Sequence, residues 1–233
     1  MSMLRRGDQA SSITRVDAMV DSEGVPGGKQ LQRPRARPSV YERVFKPSFD
    51  LGASLLLLLM LSPLLIAIAI AIKLDSPGPV FFVQTRIGQH GRRIRVIRFR
   101  SVDIRSELWQ LTLAHAPVEV DPGSPGLTRV GRSLLRTRLD RLPQLFNVLR
   151  REMSLIGPRP PLPYEVARYR PWDWIRLRVK PGLTCLWQLD RQEGTPEAAM
   201  SSDHRYVLEV SPRLDLSILL WTAAALISGR VPR

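Results

Sequence analysis

The sequence predicts a mostly helical α/β protein that is held on a membrane. Three patterns lead to this fold class: one long uncharged apolar run, a pair of short strand-like segments, and an arginine-rich amphipathic helix. The chain has 233 residues, which is room for one domain of ordinary size with appendages. Its 35 Lys and Arg against 21 Asp and Glu give a formal charge of +14. This charge predicts an anionic partner: nucleic acid, a phosphorylated substrate or anionic lipid.

Cysteine and histidine usage excludes several kinds of site. Cys185 is the single cysteine, so the chain has neither an internal disulfide nor a cysteine-based metal cluster, and it fits a reducing compartment. The three histidines are scattered without metal-ligand spacing, which argues against a structural zinc site.

Residues 1–40 form the first segment and are predicted to be a disordered basic arm. They are rich in Ser, Gly, Pro and Arg and show no apolar period. Such a composition cannot bury enough apolar surface to fold.

The next segment, residues 41–73, is predicted to lie in a membrane. Its run LGASLLLLLMLSPLLIAIAIAI, 51–72, carries no charge for 22 residues, enough for about 33 Å of helix at about 1.5 Å per residue. The run starts too far along the chain and is too long for the apolar part of a secretory signal peptide. We therefore expect this segment to be retained.

A re-entrant helix is favoured over a straight span. The centre of the run holds Ser62 and Pro63, and a proline inside a helix removes a hydrogen bond and kinks or breaks it. Both flanks are basic, with Lys46 before the run and Lys73 after it. Because basic flanks prefer the cytoplasm, both ends are expected on the same side. A straight span remains the alternative, since long domains can override this rule.

Residues 74–233 are predicted to form a cytosolic domain on the membrane surface. VFFVQ and RIRVIRFRS read as the strands of a small hairpin. An amphipathic helix is predicted around residues 135–149, bent by Pro143 just after Asp140, with one apolar face made of Leu135, Leu139, Leu142, Phe146 and Leu149. The aromatic and arginine mixture at 164–182 and the apolar stretch at 216–227, which is too short to span a bilayer, favour interfacial or buried positions.

Asp140 is the most informative single residue. In RLDRLPQL, 138–145, it stands between Arg138 and Arg141, and nearby positive charge favours the ionised carboxylate. The residues alone allow either a surface ion pair or a nucleophile. In the later segment MSLIGPRP, 153–160, a rigid turn presents the guanidinium of Arg159.

These segments together resemble the bacterial sugar transferases, the monotopic polyprenyl-phosphate phosphoglycosyl transferases. The matching motifs run from about residue 46 to 230 and include the Ser62-Pro63 break, KLDSPGPVFF, RFRS, LDxLPQLxNVL, MSLIGPRP, KPGLTxLWQ and LDL. The resemblance implies a re-entrant membrane helix and a small α/β domain on the cytoplasmic face of the bacterial inner membrane. It also implies interfacial helices.

The resemblance further implies a two-step transfer. An aspartate matching Asp140 attacks the β-phosphate of a UDP-sugar and releases UMP, and undecaprenyl phosphate then accepts the phosphosugar. Other partners expected are anionic membrane lipids and further glycan-assembly proteins; nucleic acid is not expected, because no nucleic-acid module is recognisable. The expected substrate-binding residues are Arg98, Arg100, Ser101, Arg136, Arg141 and Arg159.

The sequence departs from the family pattern beside Asp140. The family has Asp-Glu, and its Glu is associated with Mg²⁺, whereas this chain has Asp140-Arg141. It also has Leu135 in place of an arginine and Arg138 in place of a serine. Mg²⁺ is expected from the resemblance, but its usual ligand is absent and the metal ligand is unknown.

Two hypotheses follow from this departure. In the first, the nucleophile works, and Arg141 neutralises phosphate charge or an acid such as Asp103, Glu107 or Glu152 supplies the metal site. In the second, the chain is a degenerate family member that acts as a membrane-bound binding or scaffold protein.

For residues outside the motif, Trp187 and Gln188 are expected in the core, and Asp203, His204 and Tyr206 are expected to be structural more often than sugar-binding.

Overall fold

The computed structural model describes residues 39–113, 120–186 and 196–227. Nearly all of the predicted arm, 1–40, lies outside the described residues, as do Trp187 and Gln188. The structure therefore does not test the predictions for the arm, Trp187 and Gln188.

One long helix opens the described chain. A π-helical turn, Tyr41–Phe45, runs directly into α1, Lys46–Asp75. Within the described residues it is the one helix long and apolar enough to cross a membrane. α1 keeps its helical assignment through Pro63, so the predicted interruption does not end the helix. Pro63 lacks an N–H, but the Ser62 hydroxyl donates to the carbonyl of Leu59 at 2.8 Å, and a single missing hydrogen bond bends a helix more readily than it terminates one.

The predicted hairpin is confirmed. β1, Phe81–Ile87, pairs antiparallel with β2, Arg93–Phe99. A short 3-10 turn, Gln89–Gly91, joins them, with His90 in the left-handed region at φ 57°.

A second, parallel sheet was not predicted. β3, Ser154–Ile156, pairs with β4, Gly182–Thr184. The two segments approach closely enough to require glycine: a Cβ on Gly157 would lie 2.4 Å from the Lys180 carbonyl oxygen, and one on Gly182 would lie 2.1 Å from the Gly157 nitrogen. The close approach explains the glycines of the GPRP and KPG motifs.

The amphipathic segment is interrupted earlier than the sequence predicts. α2, Glu107–Leu113, is followed by α3, Arg129–Thr137, a 3-10 helix, Leu139–Gln144, and α4, Leu145–Leu149. Arg138 separates α3 from the 3-10 helix with φ 59° and ψ 11°. The expectation of one helix bent after Asp140 is therefore wrong, because a left-handed residue caps α3 two positions before it.

Three further helices and a 3-10 segment complete the domain. They are α5, Pro163–Val166, the 3-10 segment Pro171–Arg178, α6, Pro196–Glu209, and α7, Pro212–Ile227. On α7, Ile218 is fully buried while Leu220 and Trp221 are exposed. This two-sided character agrees with the predicted interfacial or buried position.

The core has two hydrophobic clusters, and α1 contributes to both. The larger cluster joins Leu58 to β2, α4, β3, α6 and α7. The smaller cluster joins Ile68 and Ile72 to Phe99 and Leu134. Burying side chains of this kind stabilises a fold by about 1.5 to 3 kcal/mol each, so α1 is part of the folded body along most of its length.

Candidate active site

Asp140 is placed in a buried turn by the break at Arg138. The reversal at Arg138 starts the 3-10 helix and turns the carboxylate inward, leaving Asp140 3% exposed. Its Oδ2 lies 3.9 Å from Nη1 of Arg98 on β2, which is an ion pair without a hydrogen bond. Its Oδ1 is buried and has no hydrogen-bond partner among the described residues.

Three buried donors that have no acceptor among the described residues accompany this carboxylate. They are Arg98 Nε, Arg141 Nε and Gln144 Nε2. An unsatisfied buried polar group costs about 1 to 3 kcal/mol, and native proteins keep few of them. Their concentration on the short segment 140–144 and the neighbouring β2 indicates a site for a ligand that supplies hydrogen-bond acceptors.

The site is strongly cationic. Burial lowers the pKa of Arg98 to about 10, with Asp140 opposing this shift and the charges of Arg141, Arg159 and Arg138 adding to it. Burial, followed by the charges of Arg98 and Arg159, also lowers the pKa of Arg86. Positive charge beside a guanidinium disfavours its charged form, and a multiply charged anion at the site would offset this effect.

Arg86 ties the hairpin to the turn that carries Arg159. Its Nε and Nη2 donate to Gln84 Oε1 at 2.9 and 2.6 Å, and its Nη1 donates to the carbonyl of Pro160 at 3.0 Å. The Ile87 amide donates to the carbonyl of Pro161 at 2.9 Å. The 157–160 turn is thus held against the strand pair that presents Arg98.

The same turn is fixed from the other side by a buried ion pair. Arg176 Nη2 donates to Asp203 Oδ2 and lies 3.3 Å from the carbonyl oxygen of Arg159. Burial raises the pKa of Asp203 to about 6, against the effect of Arg176 and of the Arg159 backbone amide. The Arg159 side chain is 44% exposed, with Nη1 3.3 Å from Glu165 Oε1. Its guanidinium can therefore reach a ligand at the surface of the site.

One family model covers most of this chain. The bacterial sugar transferase family model matches residues 41–229. The chain belongs to the bacterial sugar transferase family. This assignment includes both α1 and the whole arginine-rich site.

Named relatives of this family member act on different sugars. It is 40% identical over 205 residues to an undecaprenyl-phosphate glucose phosphotransferase of Komagataeibacter xylinus, covering 82% of this chain and 37% of that protein. It is 37% identical over 191 residues to an undecaprenyl-phosphate galactose phosphotransferase of Salmonella typhimurium, covering 78% and 40%. The chain therefore spans about two fifths of the length of these two relatives.

A third relative matches over nearly its full length. An exopolysaccharide production protein PSS of Rhizobium leguminosarum bv. phaseoli is 38% identical over 198 residues, covering 78% of this chain and 94% of that protein. The matched region can thus make up almost the whole of a family member.

The structure separates the predicted substrate-binding residues into two groups. Arg98 pairs with Asp140, and the charges of Arg141 and Arg159 act on Arg98. Arg100 lies elsewhere: it is 1% exposed, and its guanidinium donates to Pro79 O at 2.7 Å and to Ser76 O at 2.9 Å. These bonds tie the SPGP turn to the end of β2, so the guanidinium of Arg100 is occupied by contacts within the fold.

Ser101 and Arg136 also lie apart from the unpartnered donors. The Ser101 carbonyl accepts a hydrogen bond from the Thr128 amide at 3.1 Å, and a Cβ on Gly131 would lie 2.0 Å from this oxygen. Ser101 therefore sets the start of α3. Arg136 is exposed in the last turn of that helix.

Asp203, His204 and Tyr206 all make contacts within the fold. His204 Nδ1 accepts a hydrogen bond from Trp172 Nε1 at 2.9 Å, and burial lowers the pKa of His204 to about 4. The Tyr206 hydroxyl lies 2.8 Å from Asp215 Oδ1, and burial followed by the charge of Asp215 raises its pKa.

The Asp215 cluster joins α1 and the π-helical turn before it to α7. Asp215 Oδ2 also accepts from the Tyr41 hydroxyl and the Lys46 ammonium, both at 2.6 Å. The sequence did not predict this role of Asp215, although the residue lies in the matching motif LDL.

The residues around Asp140 do not fit a Mg²⁺ ion held by the protein. Among the described residues no group of three His, Cys, Asp or Glu side chains is placed to hold a metal. Of the predicted acids, Asp103 accepts from the Arg105 amide at 2.8 Å, Glu152 accepts from Asn147 Nδ2 at 2.6 Å, and Glu107 is exposed. Mg²⁺ needs oxygen ligands, which guanidinium groups cannot provide.

Proposed function

We propose that this chain is a phosphoglycosyl transferase that moves a phosphosugar from a UDP-sugar to undecaprenyl phosphate through a covalent intermediate on Asp140. Such a reaction would start the assembly of an exopolysaccharide or another glycan. The observation that carries the proposal is the buried, unpartnered Oδ1 of Asp140 beside three buried, unpartnered donors. The relatives named as undecaprenyl-phosphate phosphotransferases for glucose and for galactose support it.

In the first step, an oxygen of the Asp140 carboxylate attacks the β-phosphorus of the UDP-sugar. A bond forms between this oxygen and phosphorus, and the bond from phosphorus to the bridging oxygen breaks. UMP leaves with the bridging oxygen, and the phosphosugar stays on the carboxylate as an acyl phosphate. A carboxylate oxygen without a hydrogen bond has no partner to give up before it reacts.

In the second step, a phosphate oxygen of undecaprenyl phosphate attacks the same phosphorus. The bond from the carboxylate to phosphorus breaks, the product is an undecaprenyl diphosphate sugar, and Asp140 is restored. No net proton is needed across the two steps. Guanidinium groups around Asp140 stabilise the charge that develops on the phosphate oxygens in both.

The packing of α1 supports a re-entrant or monotopic seat on the cytoplasmic face of the bacterial inner membrane. Near its start, Asp50 Oδ1 accepts from the Leu155 amide at 3.2 Å; at its end, Asp75 Oδ2 accepts from the Val130 amide at 2.9 Å. These residues are 25 apart, about 37 Å in a straight helix at about 1.5 Å per residue. One folded domain that contacts both ends cannot lie on both sides of a bilayer.

The exposed side of α1 has the composition of a lipid-facing surface. Its large apolar residues are between 38% and 69% exposed over the region 55–70. Pro63 lies in the middle of this surface, and the proposed re-entrant seat would have the helix bend at this residue. The net positive charge of the chain favours anionic lipid headgroups beside it.

A non-catalytic family member is the competing hypothesis. It is favoured by the lack of a group of metal-binding side chains among the described residues. Such a protein would keep the membrane seat and ligand binding, and would recruit other glycan-assembly proteins.

UMP release separates the two functions. The protein in lipid nanodiscs with undecaprenyl phosphate is incubated with UDP-glucose and, separately, UDP-galactose, and UMP is quantified. The transferase hypothesis expects UMP from at least one sugar and a loss of at least 1,000-fold, or about 4 kcal/mol, in Asp140→Asn. No UMP above the Asp140→Asn background with either sugar would favour the non-catalytic hypothesis.

A further inference from the structure

We propose that this chain binds the diphosphate of its substrate without a divalent cation, and that the guanidinium of Arg141 supplies the charge a metal would otherwise provide. The inference rests on the proposed function and concerns the same site. It is carried by three observations: the sign of the charges around Asp140, the chemical type of the unpartnered atoms, and the bonding of the nearby carboxylates.

The charges around Asp140 oppose a metal ion. Arg98, whose side chain is about three-quarters buried, is paired with the carboxylate at 3.9 Å. The charges of Arg138, Arg141 and Arg159 all act on Arg98. A divalent cation placed here would meet several positive charges and one carboxylate that is already paired. The diphosphate of a UDP-sugar has two negative charges, so the same positive charges would attract it.

The unpartnered atoms have the chemistry of an anion site. Arg98 Nε, Arg141 Nε and Gln144 Nε2 are all donors. Phosphate oxygens accept hydrogen bonds, whereas a metal ion accepts none. Asp140 Oδ1 has no partner among the described residues, and the proposed reaction requires this oxygen to attack phosphorus. Binding a metal through it would compete with that attack.

Other carboxylates of the domain already accept hydrogen bonds. Asp75 accepts from the Val130 amide, Glu152 from Asn147, and Asp203 Oδ2 from Arg176, while Asp203 Oδ1 has no partner among the described residues. Glu165 accepts from the Leu162 amide at 2.6 Å and pairs with Arg159. Recruiting any of them to a metal would break an interaction that holds the fold or the Arg159 turn.

The test measures UDP binding and UMP release on the same nanodisc preparation, with EDTA and with Mg²⁺. UDP binding by titration calorimetry needs no turnover. The variants are Arg141→Gln and, as a control with the same change of charge, Arg205→Gln, since Arg205 lies at the surface with an exposed Glu209 partner. We expect wild-type UDP affinity and UMP release to differ by less than threefold between EDTA and Mg²⁺. Arg141→Gln should weaken both at least tenfold in EDTA, and Arg205→Gln should change neither.

The outcomes distinguish this inference from the proposed function. UMP release and UDP binding that both require Mg²⁺ would overturn the metal-free site and leave the transferase function standing. Arg141-dependent UDP binding in EDTA without UMP release would overturn the transferase function and support the metal-free anion site. UDP affinity in EDTA that is unchanged in Arg141→Gln would overturn the role of Arg141.

Discussion

At the scale of single residues, Asp140 and its neighbours combine function with a cost in stability. The sequence places Asp140 among arginines and, by resemblance, predicts its role. It cannot show that Gln144 is buried without a partner, because that depends on where β2 lies against the 3-10 helix. Nor can it separate Arg98 from Arg100, two positions apart on RFRS, since one meets Asp140 and the other meets backbone carbonyls.

Gln144→Leu is expected to separate stability from activity. Replacing a buried, unsatisfied amide with an apolar group of similar size should raise the free energy of unfolding by about 1 kcal/mol. Removing a donor to the phosphate should lower UMP release about tenfold. Urea unfolding in detergent and the UMP assay measure the two effects.

Asn147→Leu is the matched control for this change. Asn147 is also fully buried, but its side chain accepts from the Ile97 amide and donates to the Arg95 carbonyl. Its replacement should cost about 3 kcal/mol. A Gln144→Leu variant that loses as much stability as Asn147→Leu would contradict the account of an unsatisfied amide.

His204 makes stability depend on pH. Burial lowers its pKa in the folded state to about 4, below the unfolded value of about 6.5, so the unfolded state binds more protons between these values. The contribution of neutral His204 to the free energy of unfolding is complete above pH 6.5 and is lost as the pH falls toward 4. Between pH 7 and pH 5 this loss is about 2 kcal/mol.

The variant His204→Asn isolates this effect while keeping an acceptor for Trp172. The quantity to measure is the difference in unfolding free energy between wild type and variant at pH 7 and pH 5. That difference is needed because the raised pKa of Asp203 changes stability in the opposite sense over an overlapping range. A difference that is the same at both pH values would show that His204 is not buried in the neutral form.

At the scale of elements, the sequence predicted the segments with a regular apolar period but not the short irregular ones. The hairpin and the apolar helix follow directly from their patterns. β3 and β4 are three residues each, and their parallel pairing joins segments that are distant in sequence. The left-handed conformation of Arg138 was equally hidden, because arginine rarely adopts it.

The β3 and β4 pairing predicts a strong effect of adding one methyl group. Gly157→Ala places a Cβ 2.4 Å from the Lys180 carbonyl oxygen, so the two segments must separate, and we expect a loss of more than about 2 kcal/mol. Gly52→Ala in α1 is the control, since nothing lies within 4 Å of its Cβ. The control should hold or gain stability by up to about 1 kcal/mol. Equal unfolding free energies for the two variants would contradict the close approach.

At the scale of the whole molecule, one domain forms hydrogen bonds with both ends of the apolar helix α1. The sequence predicted both flanks on one side from charge alone, and the contacts of Asp50 and Asp75 with the same domain support this independently. Hydrogen bonds between distant segments of this kind leave no periodic signal, so the sequence could not predict which residues form them.

Cysteine labelling tests the same-side arrangement. In a Cys185→Ala background, Ser39→Cys places a thiol before α1, Leu74→Cys places one at an exposed position in its last turn, and Met60→Cys places one on its exposed apolar surface. A membrane-impermeant maleimide should label both flanking sites in inverted vesicles and neither in intact spheroplasts, while Met60→Cys stays unlabelled in both. Labelling of one flank from each side would demonstrate a straight span.

The central claim is that Asp140 carries the phosphosugar, and intact mass spectrometry tests it most directly. The nanodisc-held protein is incubated with UDP-glucose or UDP-galactose in the absence of undecaprenyl phosphate and measured whole. The account predicts a mass increase of one hexose phosphate with at least one donor, its loss on addition of undecaprenyl phosphate, and no increase in Asp140→Asn. An adduct that persists in Asp140→Asn, or UMP release at the full rate by that variant, would contradict it.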